Sequence, residues 1–537
     1  NGEMLGEVDI RRGIFQGDSL SPLLFIIVMI PLSILLKREK LGYSFGSDGK
    51  LINHLLFMDD LKLFGKTERE LEGLVDLVSV YSRDIGMEFG LEKCASLVIR
   101  RGVKEGNDGI ELPNGEMMKE VDANGYKYLG VLEGADIKNR EMKDKVSGEY
   151  LRRVKLVAKS KLYGGNVIKA LNVWAVSVVR YSAGILEWSE KELKKLDIRT
   201  RKILAMTGVF HIRSSVDRLY RNRKDGGRGL ISVVDCVRGE EIALNEYVKG
   251  SEEWMLKVVA GGIEVGESKI EYFRRVDNER REKLKEKRLH GKFVVDIEAV
   301  ADNRSWQWLR AGYLAKSTEA YLFAAQEQAL RTRFFRKTIE GEDCDGECRV
   351  CGQTVESVGH LASGCSGLAQ KEYKRRHDKM GLRVYWELCR KYGLKCAGKW
   401  FEEVPDEVRS REDGKVEIWW DRSVETTNKL EHNRPDVVVV DRVRKKWVIV
   451  DFAVPWDKNV WSRENEKIGK YAPLALEVRR LYGVATQVIP VVVGALGVVS
   501  RRLGGYLKEL GIPDVLGGLQ TSAIVGTANI LRKTLNT

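Results

Sequence analysis

The sequence predicts a mixed α+β protein with several domains. Its 537 residues correspond to roughly three to four domains of about 150 residues each. Short apolar runs typical of strands occur with helical patterns near both ends of the chain, whereas the middle is mostly helical. Hydrophobic residues make up 43% and charged residues 31% of the chain, a balance that excludes a disordered or collagenous protein.

The charge of the chain favours a polyanionic partner. There are 91 Lys and Arg residues and 78 acids, which leaves a net charge of +13. Because acids are also abundant, we expect positive surfaces to be local. The eight cysteines are too few for a disulfide scaffold in so long a chain, which favours a reducing compartment.

The first long apolar stretch runs from Ser19 to Leu36 without a charge. It contains Pro22 and Pro31 and only reaches the lower length limit of a membrane span, so we expect a buried helix and no membrane partner. No secretory signal pattern opens the sequence. Residue 1 is Asn, in what resembles the middle of a domain, and we therefore expect an N-terminally truncated fragment.

The remaining elements follow in order. Thr67 and Glu70 form a capping-box pattern before a helical apolar stripe that Gly86 closes. A basic, mostly helical region follows from about 135 to 250, and residues 271–292 suggest a solvated helix or linker. Further helix is predicted over 306–336. Near the end, apolar runs at 436–441, 447–454 and 487–493 predict strands, with a helix at 463–482.

Two adjacent acids lie in an apolar surrounding. Asp59 and Asp60 separate two apolar runs, as expected for a hairpin whose tight turn carries both carboxylates. Neighbouring carboxylates repel each other unless a cation neutralises them, and Mg²⁺ prefers carboxylate oxygens and substrate phosphates. An exposed acidic turn is the alternative for this pair taken alone.

An upstream segment favours the metal site. The sequence around Gln16 and Gly17, RGIFQGDSLSPLLF, together with FMDD at residues 57–60, resembles the palm of reverse transcriptases. The resemblance implies that Gln16 and Gly17 lie beside the incoming nucleotide and that Asp59 and Asp60 bind catalytic Mg²⁺. Lys93, in a GLEKC segment, would lie near the nucleotide phosphates. YKYLG at 126–130 resembles the hairpin that grips the primer. The family's further metal-binding Asp would precede this sequence, so polymerase activity of this chain is expected to be incomplete.

A cysteine and histidine cluster predicts a structural zinc site. Cys348, Cys351, His360 and Cys365 follow the spacing C-x2-C-x8-H-x4-C. Three thiolates and one imidazole can complete a closed tetrahedral site, which stabilises a fold and leaves no open position for chemistry. Cys344 is an alternative ligand.

A second pair of acids lies near the C-terminal end of the sequence. Asp436 and Asp451 are separated by fourteen residues, so a hairpin would bring both carboxylates to one end of a sheet. A downstream helix offers Lys467 and Lys470. Two Mg²⁺-binding acids with a lysine form a nuclease arrangement. It resembles the PD-(D/E)xK fold of restriction-like endonucleases, although Ala453 occupies the usual lysine position, and either helix lysine could serve.

The order of these features resembles LINE-type (non-LTR) retrotransposon proteins with a restriction-like endonuclease. The segments 218–230 and 324–330 resemble family linkers. The implied fold is α+β and multidomain. It comprises a partial reverse transcriptase palm (1–134), a helical thumb-like region (135–250), a basic helical linker (251–340), a small CCHC zinc knuckle (341–379) and a PD-(D/E)xK-like nuclease (380–537).

The implied activity is target-primed reverse transcription. The nuclease nicks DNA, and the exposed 3′-hydroxyl primes copying of the element RNA. The partners would be element RNA, target DNA and deoxynucleotides, and the protein would act in the nucleus. Two alternatives stay open: a nuclease with a degenerate polymerase scaffold, and a non-catalytic nucleic-acid-binding remnant. A group II intron reverse transcriptase fits less well, since those enzymes typically carry a different nuclease.

Overall fold

The computed structural model describes Ile14 and residues 17–45, 49–262, 266–396 and 401–536. The chain is mixed α+β, as predicted. It divides into two compact units. The first comprises residues 1–146, 185–187 and 245–264, and the second comprises residues 147–184, 188–244 and 265–537.

The first unit contains two long helices and a series of short hairpins. Its pairs of strands, β1 with β2 through β9 with β10, are all antiparallel. The elements in chain order are α1 (Ser21–Arg38), β1 (Tyr43–Phe45), β2 (Lys50–Ile52), β3 (His54–Phe57), β4 (Asp60–Leu63), α2 (Glu68–Asp84), β5 (Val98–Arg100), β6 (Val103–Glu105), β7 (Ile110–Glu111), β8 (Met117–Met118), β9 (Tyr126–Tyr128) and β10 (Val131–Glu133).

Helix α2 begins where the capping pattern predicted. The Thr67 side chain accepts a hydrogen bond from the Glu70 amide, which satisfies one of the free amides of the first turn. The Glu70 carboxylate instead accepts from the Lys66 amide at 2.9 Å. Leu74 and Val78 are buried against α1, so the apolar stripe faces the core of this unit.

Helix α1 corrects the prediction of a buried helix over Ser19–Leu36. The helix forms, but only one side of it is buried, through Met29, Leu32 and Leu36. Apolar residues surround its whole circumference, so packing on one side leaves the others exposed; the exposed ones are Leu23, Leu24, Ile26, Ile27, Val28, Ile30, Ile34 and Leu35. Among the described residues, α1 alone is long and apolar enough to cross a membrane, which by itself is weak support for a span.

Helices dominate the chain from residue 139 to residue 392. In order they are α3 (Asn139–Lys159), α4 (Gly164–Ala170), α5 (Val176–Ser182), α6 (Glu190–Met206), α7 (Val216–Tyr220), α8 (Val233–Gly250), α9 (Trp254–Ala260), α10 (Lys269–Glu286), α11 (Lys292–Ile297), α12 (Gln307–Ala311), α13 (Lys316–Gln326), α14 (Arg333–Thr338), α15 (Ser366–Leu368) and α16 (Lys374–Tyr392). The predicted helical regions 135–250, 271–292 and 306–336 are therefore largely helical.

A buried ionic cluster joins two segments of the second unit. Glu319, on α13, is fully buried and accepts two hydrogen bonds from Arg223, at 2.9 and 2.8 Å. Arg228, also buried, lies 3.0 Å from the same carboxylate. Arg218 donates to Gln326 in the same region. The segment 218–230 is thus held to α13 by charged groups that are shielded from water, and Arg218 also reaches the segment 324–330 at Gln326.

The second unit ends in a five-stranded sheet with helices on both faces. The strand order is β11-β12-β13-β14-β15, antiparallel except for the parallel pair β14 and β15. Alternate residues of β13 face opposite layers. Val437 and Val439 pack with α16 and α19, and Val438 and Val440 pack with α17. The elements are β11 (Val408–Ser410), β12 (Val416–Trp420), β13 (Val437–Asp441), β14 (Lys446–Ala453), α17 (Val460–Tyr482), β15 (Ala485–Val492), α18 (Leu503–Glu509) and α19 (Leu516–Leu535).

Candidate metal centres and nucleic-acid site

The hairpin of β3 and β4 carries the first pair of acids. The turn consists of Met58 and Asp59, and Asp60 is the first residue of β4, opposite Phe57. Met58 adopts a φ of 54°, in the left-handed region that tight hairpin turns require. Both carboxylates are exposed at the tip of the hairpin. The predicted hairpin is therefore present, with Asp60 at the first strand position instead of inside the turn.

The base of this hairpin is fixed to α1. The buried Asn53 side chain donates a 2.5 Å hydrogen bond to the Leu36 carbonyl, in the last turn of the helix. His54 lies between two partners, with its Nδ1 2.8 Å from the Asn53 amide oxygen and its Nε2 2.8 Å from the Ser33 hydroxyl. These contacts hold the strands on a rigid support, so the position of the two carboxylates is set by the scaffold.

The other palm-like motifs converge on the same hairpin. The Tyr126 hydroxyl donates a 2.7 Å hydrogen bond to the Lys93 carbonyl. Burial, together with the nearby Asp60 charge, raises the pKa of Tyr128. Lys62 on β4 forms an ion pair with Glu133 on β10. The hairpin of β9 and β10 and the Lys93 segment thus lie beside the acidic turn.

The predicted substrate-binding residues have open surroundings. The Lys93 side chain is 85% exposed, and its Nζ is 4.0 Å from Glu92. Gly17 has a φ of 102°, and a Cβ built there would have no heavy atom within 4 Å, so a ligand can approach its backbone. Gln16 lies outside the described residues.

Cys348, Cys351, His360 and Cys365 come together as the spacing predicted. One ligand atom from each lies within 4.8 Å of the others, and no further such group occurs in the described part of the chain. The Sγ atoms of Cys348 and Cys365 are 3.8 Å apart, and Cys351 Sγ is 3.4 Å from His360 Nε2. Sulfurs bound to one zinc at about 2.3 Å in a tetrahedron would be about 3.8 Å apart. The donor set is therefore compatible with Zn²⁺.

The thiols of this cluster differ in their surroundings. Backbone and side-chain hydrogen bonds, the largest from Gln353, lower the pKa of Cys351 to about 6. Burial raises the pKa of Cys365 to about 12. A bound cation would compensate for placing several thiolates together. Cys344, the alternative ligand, instead has its thiol 3.6 Å from the Arg333 carbonyl.

The cluster is part of a larger hydrophobic core. Cys348 and Cys365 are buried in one cluster with Val492, from β15, and with Ile524 and Leu531, from α19. The segment that was predicted as a small knuckle therefore packs into the same core as the C-terminal sheet and its last described helix.

Asp436 and Asp451 lie at the same end of the sheet. Val437 pairs with Val450 in the antiparallel register of β13 and β14. Asp436 precedes Val437 and Asp451 follows Val450, so the two acids are cross-strand neighbours. Asp436 Oδ2 accepts a 2.7 Å hydrogen bond from the Phe452 amide. The hairpin that fourteen intervening residues predicted thus brings the two acids together.

The two helix lysines lie in different places. Lys467, on α17, forms an ion pair with Asp451, and both side chains are largely buried, at 17% and 3% exposure. The Lys470 Nζ instead lies 4.7 Å from the centre of the Tyr471 ring. The geometry therefore favours Lys467 as the lysine of this group.

Sequence analysis missed His377, the fourth member of this group. Its Nε2 is 3.2 Å from Asp436 Oδ2, and its Nδ1 is 3.1 Å from Asp378 Oδ1. His377 and Asp436 line a cavity of about 540 Å³, together with Tyr373, Lys374, Trp420 and Asp421. His377 lies in a run of charged residues with no motif, and only its position on α16 reveals the contact.

The close packing of Asp436, Asp451, Lys467 and His377 shifts the pKa values of both acids and of the histidine. Burial and the neighbouring Asp436 charge raise the pKa of Asp451, although Lys467 opposes the shift. Burial also acts on Asp436, but His377 and Lys467 outweigh it and lower the pKa of that acid. Burial alone would lower the pKa of His377, and its two carboxylate partners raise it to about 10. Buried acids that face each other in this way are suited to sharing a divalent cation.

Both the N-terminal segment and the chain as a whole are similar to known proteins. The reverse transcriptase (RNA-dependent DNA polymerase) family matches residues 1–132, the segment with the acidic hairpin. A retrovirus-related Pol polyprotein from the type-1 retrotransposable element R2 of Popillia japonica is 24% identical over 554 residues, which cover 96% of this chain and 82% of that protein.

Two further relatives match a shorter segment. A Pol polyprotein from the type-1 element R2 of Nasonia vitripennis is 33% identical over 129 residues. One from the type-2 element R2DM of Drosophila melanogaster is 31% identical over 125 residues. Each match covers 22% of this chain and 12% of the relative.

The match over residues 1–132 supports a reverse transcriptase, the class of RNA-directed DNA polymerase that copies an RNA template from nucleotide substrates. More narrowly, the similarity to the R2 Pol polyproteins supports a reverse transcriptase of the LINE-type, or non-LTR, retrotransposon kind.

Proposed function

We propose that this chain serves target-primed reverse transcription with two separate metal sites. A nuclease site at Asp436 and Asp451 would nick target DNA. A polymerase site at Asp59 and Asp60 would extend the exposed 3′-hydroxyl on an element RNA template. The nuclease proposal rests chiefly on the register that sets Asp436 beside Asp451, with Lys467 paired to the second acid.

At the polymerase site, Asp59 and Asp60 would hold Mg²⁺, which supplies charge stabilisation for attacking and leaving oxygens in phosphoryl transfer. The exposure of both carboxylates at a hairpin tip is suited to a primer end and a nucleotide triphosphate. Lys93 and the open backbone of Gly17 would contact the incoming nucleotide, as would Gln16. The Tyr126–Tyr128 strand would support the primer beside Asp60.

At the nuclease site, Asp436 and Asp451 would bind Mg²⁺, which supplies Lewis-acid activation for phosphodiester hydrolysis. Lys467 offsets the negative charge of Asp451 before substrate binds, and it would offset charge that develops on the phosphate during the reaction. Lys470 is the alternative for this role. The cavity beside Asp436 offers Lys374 to the phosphate backbone of DNA.

The Cys348, Cys351, His360 and Cys365 cluster would hold a structural Zn²⁺. All four positions of a tetrahedral site are filled by protein, which leaves no position for substrate. Its burial in the core of the second unit supports a role in folding. We also propose that the chain is divided into the palm, thumb-like, linker, knuckle and nuclease segments given above, and that the protein acts in the nucleus.

Paired variants test the two activities separately. Nicking of supercoiled plasmid and primer extension on an RNA template are measured with Mg²⁺ for the unchanged chain, Asp436→Asn/Asp451→Asn and Asp59→Asn/Asp60→Asn. We expect Asp436→Asn/Asp451→Asn to lose nicking and Asp59→Asn/Asp60→Asn to retain it. Because we expect the polymerase of this chain to be incomplete, extension should be weak, and whatever extension the unchanged chain supports should be lost only in Asp59→Asn/Asp60→Asn.

Other outcomes identify the alternatives. Nicking without extension in the unchanged chain would indicate a nuclease with a degenerate polymerase scaffold. Salt-sensitive binding to nucleic acid with neither activity would indicate a non-catalytic remnant. Nicking that survives Asp436→Asn/Asp451→Asn would refute the proposed nuclease site.

A further inference from the structure

His377 has both ring nitrogens committed to carboxylates. Nδ1 is 3.1 Å from Asp378 Oδ1, and Nε2 is 3.2 Å from Asp436 Oδ2. Carboxylate oxygens accept hydrogen bonds, so both nitrogens act as donors. A ring with both nitrogens engaged has no donor left for substrate, which argues for a role through its neighbours.

The contact with Asp436 controls one oxygen of that acid. Oδ2 accepts from the Phe452 amide at 2.7 Å as well as from His377. Within the described ranges, the hydrogen bonds to the Asp436 carboxylate all reach Oδ2. The carboxylate is therefore held in one rotation, with Oδ1 left for a cation.

The position of His377 is itself fixed by the residues before it on the chain. The Tyr373 hydroxyl accepts from the Cys365 amide at 3.1 Å and donates to the Leu361 carbonyl at 2.9 Å. The buried Arg376 guanidinium donates to the Ala362 carbonyl at 2.7 Å and to the Val454 carbonyl at 3.2 Å. The start of α16 is thus fastened to the Cys3His segment on one side and to the chain after β14 on the other.

The ring also packs against the strand that carries the second acid. The centroids of His377 and Phe452 are 6.0 Å apart, with an interplanar angle of 72°. Phe452 follows Asp451 directly and donates the other hydrogen bond to Asp436. The imidazole therefore contacts both the side chain of Asp436 and the ring of Phe452, the residue after Asp451.

We propose that His377 is a positioning residue of the nuclease site, which holds Asp436 in the rotation that binds a divalent cation. This inference rests on the proposed nuclease function. Partners that orient a metal ligand typically change metal affinity or activity by about 10–100-fold when they are replaced.

The test compares His377→Ala and His377→Gln with the unchanged chain and with His432→Ala. His432 is a matched control, because it is an exposed histidine whose nearest acid, Glu431, is 4.0 Å away. The Gln side chain retains an amide donor in reach of Asp436. Nicking rates are measured over a range of Mg²⁺ concentrations. Mn²⁺ binding is measured by electron paramagnetic resonance in chains that also carry Asp59→Asn/Asp60→Asn.

We expect His377→Ala to raise the Mg²⁺ concentration for half-maximal nicking about tenfold or more, and to weaken Mn²⁺ binding similarly. Saturating Mg²⁺ should restore much of the rate. His377→Gln should recover most of the affinity, and His432→Ala should match the unchanged chain. A purely structural role predicts a lower rate at every Mg²⁺ concentration and no rescue by Gln.

Unchanged or tighter Mn²⁺ binding in His377→Ala would overturn the inference, as would equal damage in the Ala and Gln variants. Failure of the proposed function is recognised separately. In that case the unchanged chain does not nick DNA at any Mg²⁺ concentration, while Mn²⁺ binding still reports whether His377 supports a cation at Asp436.

Discussion

Replacement of Lys467 by Met should abolish most nicking, whereas Lys470→Met should have little effect. Both substitutions remove one positive charge from the same helix and keep a long apolar side chain. The two lysines differ in their contacts: Lys467 forms an ion pair with Asp451, whereas Lys470 lies over the Tyr471 ring. The comparison therefore isolates the contact from the general loss of charge.

The magnitude follows from the burial of the pair. Loss of a group that stabilises developing charge typically costs about 10²–10³-fold in rate, which we expect for Lys467→Met. Removing one partner of a buried ion pair costs about 3–5 kcal/mol of stability if the other charge remains. We expect the low end or less here, because the pKa of Asp451 is raised and its carboxyl can take up a proton. Lys470→Met should change the rate no more than about threefold.

The assay is single-turnover nicking at saturating Mg²⁺, with circular dichroism of each variant as a check of folding. Urea unfolding of both variants separates stability from chemistry. Equal loss of nicking in the two variants, or an unchanged rate in Lys467→Met, would refute the assignment of Lys467.

Three further outcomes follow from the second unit. A chelator that removes Zn²⁺ and spares Mg²⁺ should abolish nicking and lower the unfolding midpoint, because the cysteines are buried in the core that supports the sheet. An unchanged midpoint would contradict this. Glu319→Gln should lower the free energy of unfolding by about 3–5 kcal/mol, because it leaves buried guanidinium groups without their carboxylate. The exposed Glu190→Gln should leave it nearly unchanged. Burial raises the pKa of Asp457 to about 7, so its contribution to stability is present at low pH and is lost as pH rises from about 4 towards 7. Asp457→Asn should flatten this part of the pH profile in urea unfolding, and an unchanged profile would contradict the shift.

Much of the nuclease-like group could be predicted from sequence because strand pairing is regular. Two apolar runs with a short charged turn define a hairpin, and the period of two then sets Asp436 beside Asp451. The choice between Lys467 and Lys470 could not be made, because residues three apart share a helix face. Only the packing of α17 on the sheet decides which one reaches Asp451.

Other features depended on contacts between distant segments. His377 reaches Asp436 across 59 positions of sequence, from a helix whose pattern of charges is that of an ordinary solvated face. The exposure of α1 could not be predicted either, since hydropathy describes composition and not the number of faces that find a partner. The acidic hairpin was predictable because its turn and strands are local.

The burial of the cysteine cluster beneath α19 bears on how the protein is made. Translation delivers Cys348 and Cys365 long before it delivers Ile524 and Leu531, which cover them in the finished molecule. Until then the nascent polypeptide would present reactive thiols and an open apolar surface to the cell. A ribosome that stops early would release a product whose hairpin of Asp59 and Asp60 is already synthesised but whose cysteine cluster lacks the helix that covers it.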